Sequence, residues 1–173
     1  MSERTDPEEL VQFLNAYFAP MIDLILASEG TLDKFMGDAV MALFGAPVQH
    51  GDDALRAVKV ALAMQDTLRE LNAQWREQGK PEIRVGIGLS TGEVIVGNIG
   101  SARRLEYTAI GQHVNYAQRI EALTKELPFD ILISEATYEQ IKENVDAEKI
   151  GPLVLRGKDA PVCVYGIKGL IIG

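Results

Sequence analysis

Gly30-Thr-Leu-Asp-Lys-Phe-Met-Gly-Asp-Ala-Val-Met-Ala-Leu-Phe-Gly-Ala-Pro47 carries two short apolar runs on either side of Gly37-Asp38. Glycine and aspartate both tolerate the backbone of a tight turn, so 31–36 and 39–44 are expected to pair as a hairpin that Pro47 closes. Lys34 lies on the first strand and Asp38 at the turn, four residues apart. Taken alone, a cation and a carboxylate there are explained by turn chemistry and surface charge.

Upstream of the hairpin, Asp6 suits a helix cap, Pro7 the first helical position, and Glu8 and Glu9 the positive end of the helix dipole. An apolar stripe from Leu10 to Leu26 predicts a helix ending before Gly30. Downstream, 52–78 shows helical spacing until Gly79 and Pro81 stop it. Ile83 to Ser90 and Glu93 to Ile99, rich in β-branched residues, are expected as a second hairpin about Thr91-Gly92. A strand near Leu105 to Thr108 leads through Gly111 into a helix from Gln112 to Lys125. Then follow a strand, Ile131 to Ser134, a helix, Glu135 to Glu143, and strand-like segments at 153–155 and 162–167. Helices alternating with strands and hairpins predict an α/β (α+β) chain, a mixed sheet with covering helices.

The 173 residues favour one domain, 1–173, and no linker composition divides them. Subtracting 25 acidic from 17 basic side chains gives −8, which removes the driving force for gripping nucleic acid or an anionic membrane surface. Cys163 is the only cysteine, so no internal disulfide forms and a reducing, cytoplasmic setting is expected. No apolar run is expected to reach the roughly 20 residues that cross a bilayer, and Met1 to Pro7 does not read as a signal peptide.

Most chemical candidates have ordinary explanations. The glycines from Gly86 to Gly92 are followed by a second expected strand, not by the helix that a phosphate cradle needs. His50 and His113 fit surface or capping roles, Asp52-Asp53 a helix cap, and Arg103-Arg104 a solvated loop. Asn115 and Arg119 are less easily dismissed. Four residues apart near the start of a helix, they share one face, and an amide beside a guanidinium suits a sugar and a phosphate. Bridging to solvent or to glutamates explains that spacing equally well.

The 30–47 string, Arg84-Val-Gly-Ile87 and Tyr107-Thr-Ala-Ile-Gly-Gln-His-Val-Asn-Tyr-Ala-Gln-Arg-Ile120 together resemble the catalytic domain of class III nucleotidyl cyclases, over nearly the whole chain. The resemblance implies a ferredoxin-like core, a head-to-tail homodimer with two composite sites, and two Mg²⁺ or Mn²⁺ ions per site. ATP would become cyclic AMP and pyrophosphate by attack of the ribose 3′-hydroxyl on the α-phosphorus. Matched by position, Asp38 is a metal ligand, and Lys34 with Thr108 reads the adenine edge from the other subunit. Asn115 orients the ribose, Arg119 stabilises charge on the α-phosphate, and Arg84 lies near the leaving phosphates. Sensor or regulatory domains in a longer signalling chain are expected as partners.

Family members begin with a strand carrying a Phe-x-Asp-Ile-x-Gly-Phe-Thr-like motif that supplies the other metal aspartate. The resemblance here starts after it: Met1 to Thr5 read as no strand, with Glu3 a weak substitute. That departure supports a second reading, a catalytically degenerate cyclase-like module that binds nucleotide or dimerises. A palm-type polymerase or diguanylate cyclase would account for the Gly-Asp hairpin but not for Asn115 and Arg119.

Overall fold

Asp6 starts the first helix as its chemistry requires: its Oδ1 accepts from the Glu8 amide at 3.1 Å, and Pro7 needs no hydrogen-bond acceptor there. The computed structural model describes residues 6–172, so the expectations for Met1 to Thr5, Glu3 included, lie outside the described residues. Helix α1 spans Pro7–Ala27, followed by the hairpin β1 (Thr31–Met36) and β2 (Ala39–Leu43) about Gly37, whose φ is +62°. The elements that follow are α2 (Asp53–Glu77), β3 (Ile87–Leu89), β4 (Ile95–Ser101), β5 (Arg104–Ile110) and α3 (Gln112–Leu123). Last come β6 (Ile131–Ser134), α4 (Glu135–Ile141), β7 (Val145–Leu153) and β8 (Val162–Leu170).

A four-stranded mixed sheet in the order β3-β6-β8-β7 forms the centre, with β3 and β6 parallel and the other pairs antiparallel. Its strands alternate inward residues between two faces. Ile131 and Ile133 of β6 join Tyr165 and Ile167 of β8 against Val58 and Ala61 of α2 and Ile141 of α4. On the opposite face Leu132 and Val164 meet Tyr116 and Ile120 of α3. Each fully buried aliphatic side chain there is worth roughly 1.5–3 kcal/mol. A third cluster, Tyr17, Met21, Leu68 and Trp75, joins α1 to α2, with the Phe13 and Trp75 rings 4.4 Å apart.

Three expectations are corrected. Segments 83–90 and 93–99 do not pair about Thr91-Gly92: β3 lies parallel to β6, and β4 pairs with β5 from Ile95–Ile110 to Ser101–Arg104. The chain is held away at that point, because the Thr91 and Thr137 hydroxyls bond at 2.8 Å and Gly92 packs so close to the His113 ring that a Cβ there would overlap it. Secondly, Asp52 does not cap α2 with its side chain; its carboxylate bonds Arg56 Nε at 2.9 Å. Thirdly, α1 is long and apolar enough, by length and composition, to meet the test for a membrane-crossing helix. Tyr17, Met21 and Ile25 on it are nevertheless buried within the protein.

Candidate active site

The fold gathers Lys34 and Thr108 at the junction of the two hairpins. β1 carries a bulge, because Leu32 pairs with Ala42 and Lys34 with Met41, leaving Asp33 as the extra residue. Bulges re-aim side chains, and Asp33 turns in toward β5 with its side chain 1% exposed. Thr108 Oγ1 donates to Asp33 Oδ1 and Oδ2 at 2.8 and 2.9 Å, and the Ala109 amide donates to Oδ2 at 3.2 Å. Lys34 Nζ stands 3.9 Å from the same carboxylate, its side chain 39% exposed. An open cation thus sits beside a nearly enclosed hydroxyl. Opposite Thr108 in the β4–β5 ladder is Gly97, where an added Cβ would meet nothing within 4 Å. Directly opposed residues share a face, so there is empty space beside Thr108.

Two residues beyond Ile110 the chain enters α3. Its Tyr116 and Ile120 are buried in the core, which leaves Asn115 exposed and Arg119 half-buried one turn on. Arg119 meets the loop between β7 and β8: a Cβ on Gly157, whose φ is +81°, would stand 3.0 Å from both terminal guanidinium nitrogens. Lys158, next in sequence, places Nζ 4.5 Å from the centroid of the Tyr116 ring, a cation–π contact. Arg119 and Lys158 therefore concentrate positive charge along one side of α3. Burial, helped by the nearby Glu135 carboxylate, pushes the Tyr116 phenol above its ordinary pKa.

The remaining candidates are dispersed. Arg84 lies at the far end of α3, donating to Asp130 Oδ1 at 2.7 Å and to the Thr124 carbonyl at 3.0 Å. Asp38 is exposed at the hairpin turn. Its charge, second to burial, pushes the Tyr17 phenol above its ordinary value. His50 sits in an ion network with Glu29, Asp53 and Arg56, and His113 meets Ser90 Oγ at 3.2 Å. Arg104 pairs with Glu106 at 2.8 Å. Among the described residues no three His, Cys, Asp or Glu side chains converge to hold a metal ion. Asp38, exposed at the turn, is open to a metal ion, and no chemical step is routed through one.

Asp33 and Lys158 were not picked out from the sequence. An aspartate inside a strand is disfavoured, and that misfit was the available signal for Asp33. For Lys158 the signal was two cations, Arg156 and Lys158, flanking Gly157.

The model of the adenylate and guanylate cyclase catalytic domain matches residues 1–169. The chain belongs to that family. Adenylate cyclase 1 of Rhizobium meliloti is 35% identical over 171 residues, a match covering 99% of this chain and 26% of that protein. The cyclase domain thus spans about a quarter of the length of that relative. The crystal structure of the adenylyl cyclase CyaB from P. aeruginosa superposes with a TM-score of 0.89 at 37% identity, over 96% of this chain and 85% of that one. The guanylyl cyclase Cya2 superposes at 0.86 and 41% identity, over 98% of this chain and 85% of that one. Similar structures bear both names, so the choice of base rests on this domain's own residues.

Proposed function

We propose that this cyclase domain converts ATP to cyclic AMP and pyrophosphate as a homodimer. The observation that carries the reading is the grouping of Lys34, Asp33 and Thr108 at the hairpin junction, joined through Gly111 to the helix bearing Asn115 and Arg119. Lys34 donates to the N1 acceptor of adenine, and Thr108 accepts from its 6-amino group. Asn115 holds the ribose. As the 3′-oxygen bonds the α-phosphorus and pyrophosphate departs, Arg119 and Lys158 offset the charge that builds on the phosphates. The proton of the 3′-hydroxyl passes to solvent.

A second copy is supported by apolar residues exposed on the hairpins: Phe35, Met36, Ile95, Leu105, Tyr107 and Ile110. Those of β4 and β5 lie on both faces of that ribbon, and apolar surface exposed in this amount is what an interface covers. Two Mg²⁺ or Mn²⁺ ions per site, with Asp38 as one ligand, belong to this reading. So do a cytoplasmic setting without membrane or nucleic-acid contact by this domain, and sensor or regulatory partner domains in a longer chain.

Chromatography of products formed from ATP and from GTP with Mn²⁺ tests it. Cyclic AMP from ATP, with little cyclic GMP from GTP, is expected; preferential cyclic GMP formation overturns it. Nucleotide binding without cyclisation would instead support the degenerate module.

A further inference from the structure

We infer that Asp33 sets the base selectivity of this domain by fixing the hydrogen-bond polarity of Thr108. A threonine hydroxyl has one proton and two lone pairs, so free to rotate it either donates or accepts. Here the proton has a destination. Both Asp33 oxygens lie within 2.9 Å of Thr108 Oγ1, and the Ala109 amide, which can only donate, approaches the same carboxylate. An ionised carboxylate accepts and never donates, and charge-assisted bonds are roughly twice as strong as neutral ones. The hydroxyl proton is therefore committed to Asp33, and Thr108 Oγ1 faces a ligand with lone pairs alone.

That polarity discriminates between purines, and the inference rests on the adenine reading proposed above. Adenine carries a donor at position 6, its amino group, where guanine carries the acceptor O6. An acceptor-only Thr108 matches the first and repels the second. Lys34, 3.9 Å from the same carboxylate, is a donor in any orientation; it meets an acceptor at N1 of adenine and an opposing N–H at N1 of guanine. The buried carboxylate on the β-bulge thus sets Thr108, the one reader whose polarity would otherwise be free. Asp33 touches neither base nor phosphate; it is a positioning residue. The vacant space at Gly97, opposite Thr108, is where a flat base would lie.

The test is competition of ATP and GTP, with Mn²⁺ present, for the nucleotide-bound state of the full chain, followed with a fluorescent ribose-labelled ATP. Asp33→Asn keeps the shape but presents an amide donor toward Thr108, freeing the hydroxyl proton to point at a base. The ATP-over-GTP affinity ratio is expected to fall by roughly tenfold or more, about what one misplaced hydrogen bond costs. Thr108→Val removes the hydroxyl, and in that background Asp33→Asn is expected to leave the ratio unchanged. A purely structural role would lower affinity for both nucleotides together and would act additively with Thr108→Val. An ATP-selective wild type whose ratio survives Asp33→Asn, or falls equally in both backgrounds, overturns the role of Asp33 alone. A wild type that prefers GTP, or binds neither nucleotide, overturns the adenine reading beneath it.

Discussion

Gly88 of β3 lies directly beneath Ala117 of α3, so close that a Cβ on the glycine would stand 2.5 Å from the Ala117 carbonyl oxygen and 2.3 Å from the Glu121 amide nitrogen. Both obstacles are backbone, which cannot rotate aside. Gly88→Ala is therefore expected to push α3 off the sheet, costing about 1–3 kcal/mol and displacing Asn115 and Arg119 with it. Thermal unfolding reads the loss. Gly169→Ala, where nothing lies within 4 Å, should shift the midpoint little; equal stability of the two variants would contradict this packing.

Arg119 is the side chain on α3 best placed to offset phosphate charge. Its replacement by alanine is expected to reduce kcat roughly 10²–10³-fold, the range for losing one preorganised donor at developing charge. Arg119→Lys should recover little of it, because an ammonium cannot reproduce the planar fork. Asp38→Ala should also lose turnover. Steady-state rates with Mn²⁺-ATP decide the matter, and wild-type turnover in Arg119→Ala or Asp38→Ala would remove that residue from the site.

The empty space at Gly97 makes a separable prediction. Valine is at home in a strand, so Gly97→Val should fold with an unfolding midpoint close to that of the wild type. Its branched side chain would occupy the room beside Thr108, and nucleotide affinity should fall about tenfold or more, as when one or two close contacts are lost. Titration of a fluorescent nucleotide measures it. Unchanged affinity would show that the base lies elsewhere.

Alkaline pH should destabilise the fold through its buried phenols. Tyr17 and Tyr116 both have pKa values raised above the ordinary 10.0, in each case mainly by burial. In the unfolded chain these protons leave near 10, while the folded chain still holds them, so above that pH the native state binds more protons. Stability is then full below pH 10 and falls as pH climbs toward the folded-state values. Urea midpoints between pH 8 and 11 should show the decline, and Tyr17→Phe should make it shallower.

How legible each part was depends on how far the deciding forces reach along the chain. The start of α1 and the hairpin about Gly37-Asp38 matched expectation because caps and turns act within a few residues. Segment 83–99 did not. Its strands suited either a hairpin or separate partners, and the side-chain bond from Thr91 to Thr137, 46 residues away, goes with the second. Strand β7 was expected only around 153–155 but occupies Val145–Leu153. Its exposed residues give it little apolar alternation, and it is held by the register of β8.

From the order of residues alone came the family resemblance, the alternation of helices with strands, and six candidate positions, Lys34, Asp38, Arg84, Thr108, Asn115 and Arg119. Motif and local periodicity carry that much, because each is written in neighbouring residues. Three-dimensional packing alone decided that Asp33 joins Lys34 to Thr108 across 75 residues of chain, that Gly157 and Lys158 flank α3, and that Arg84 is drawn to Asp130. Hydrogen-bond partners distant in sequence are chosen by how sheets and helices stack, and no local pattern encodes that choice.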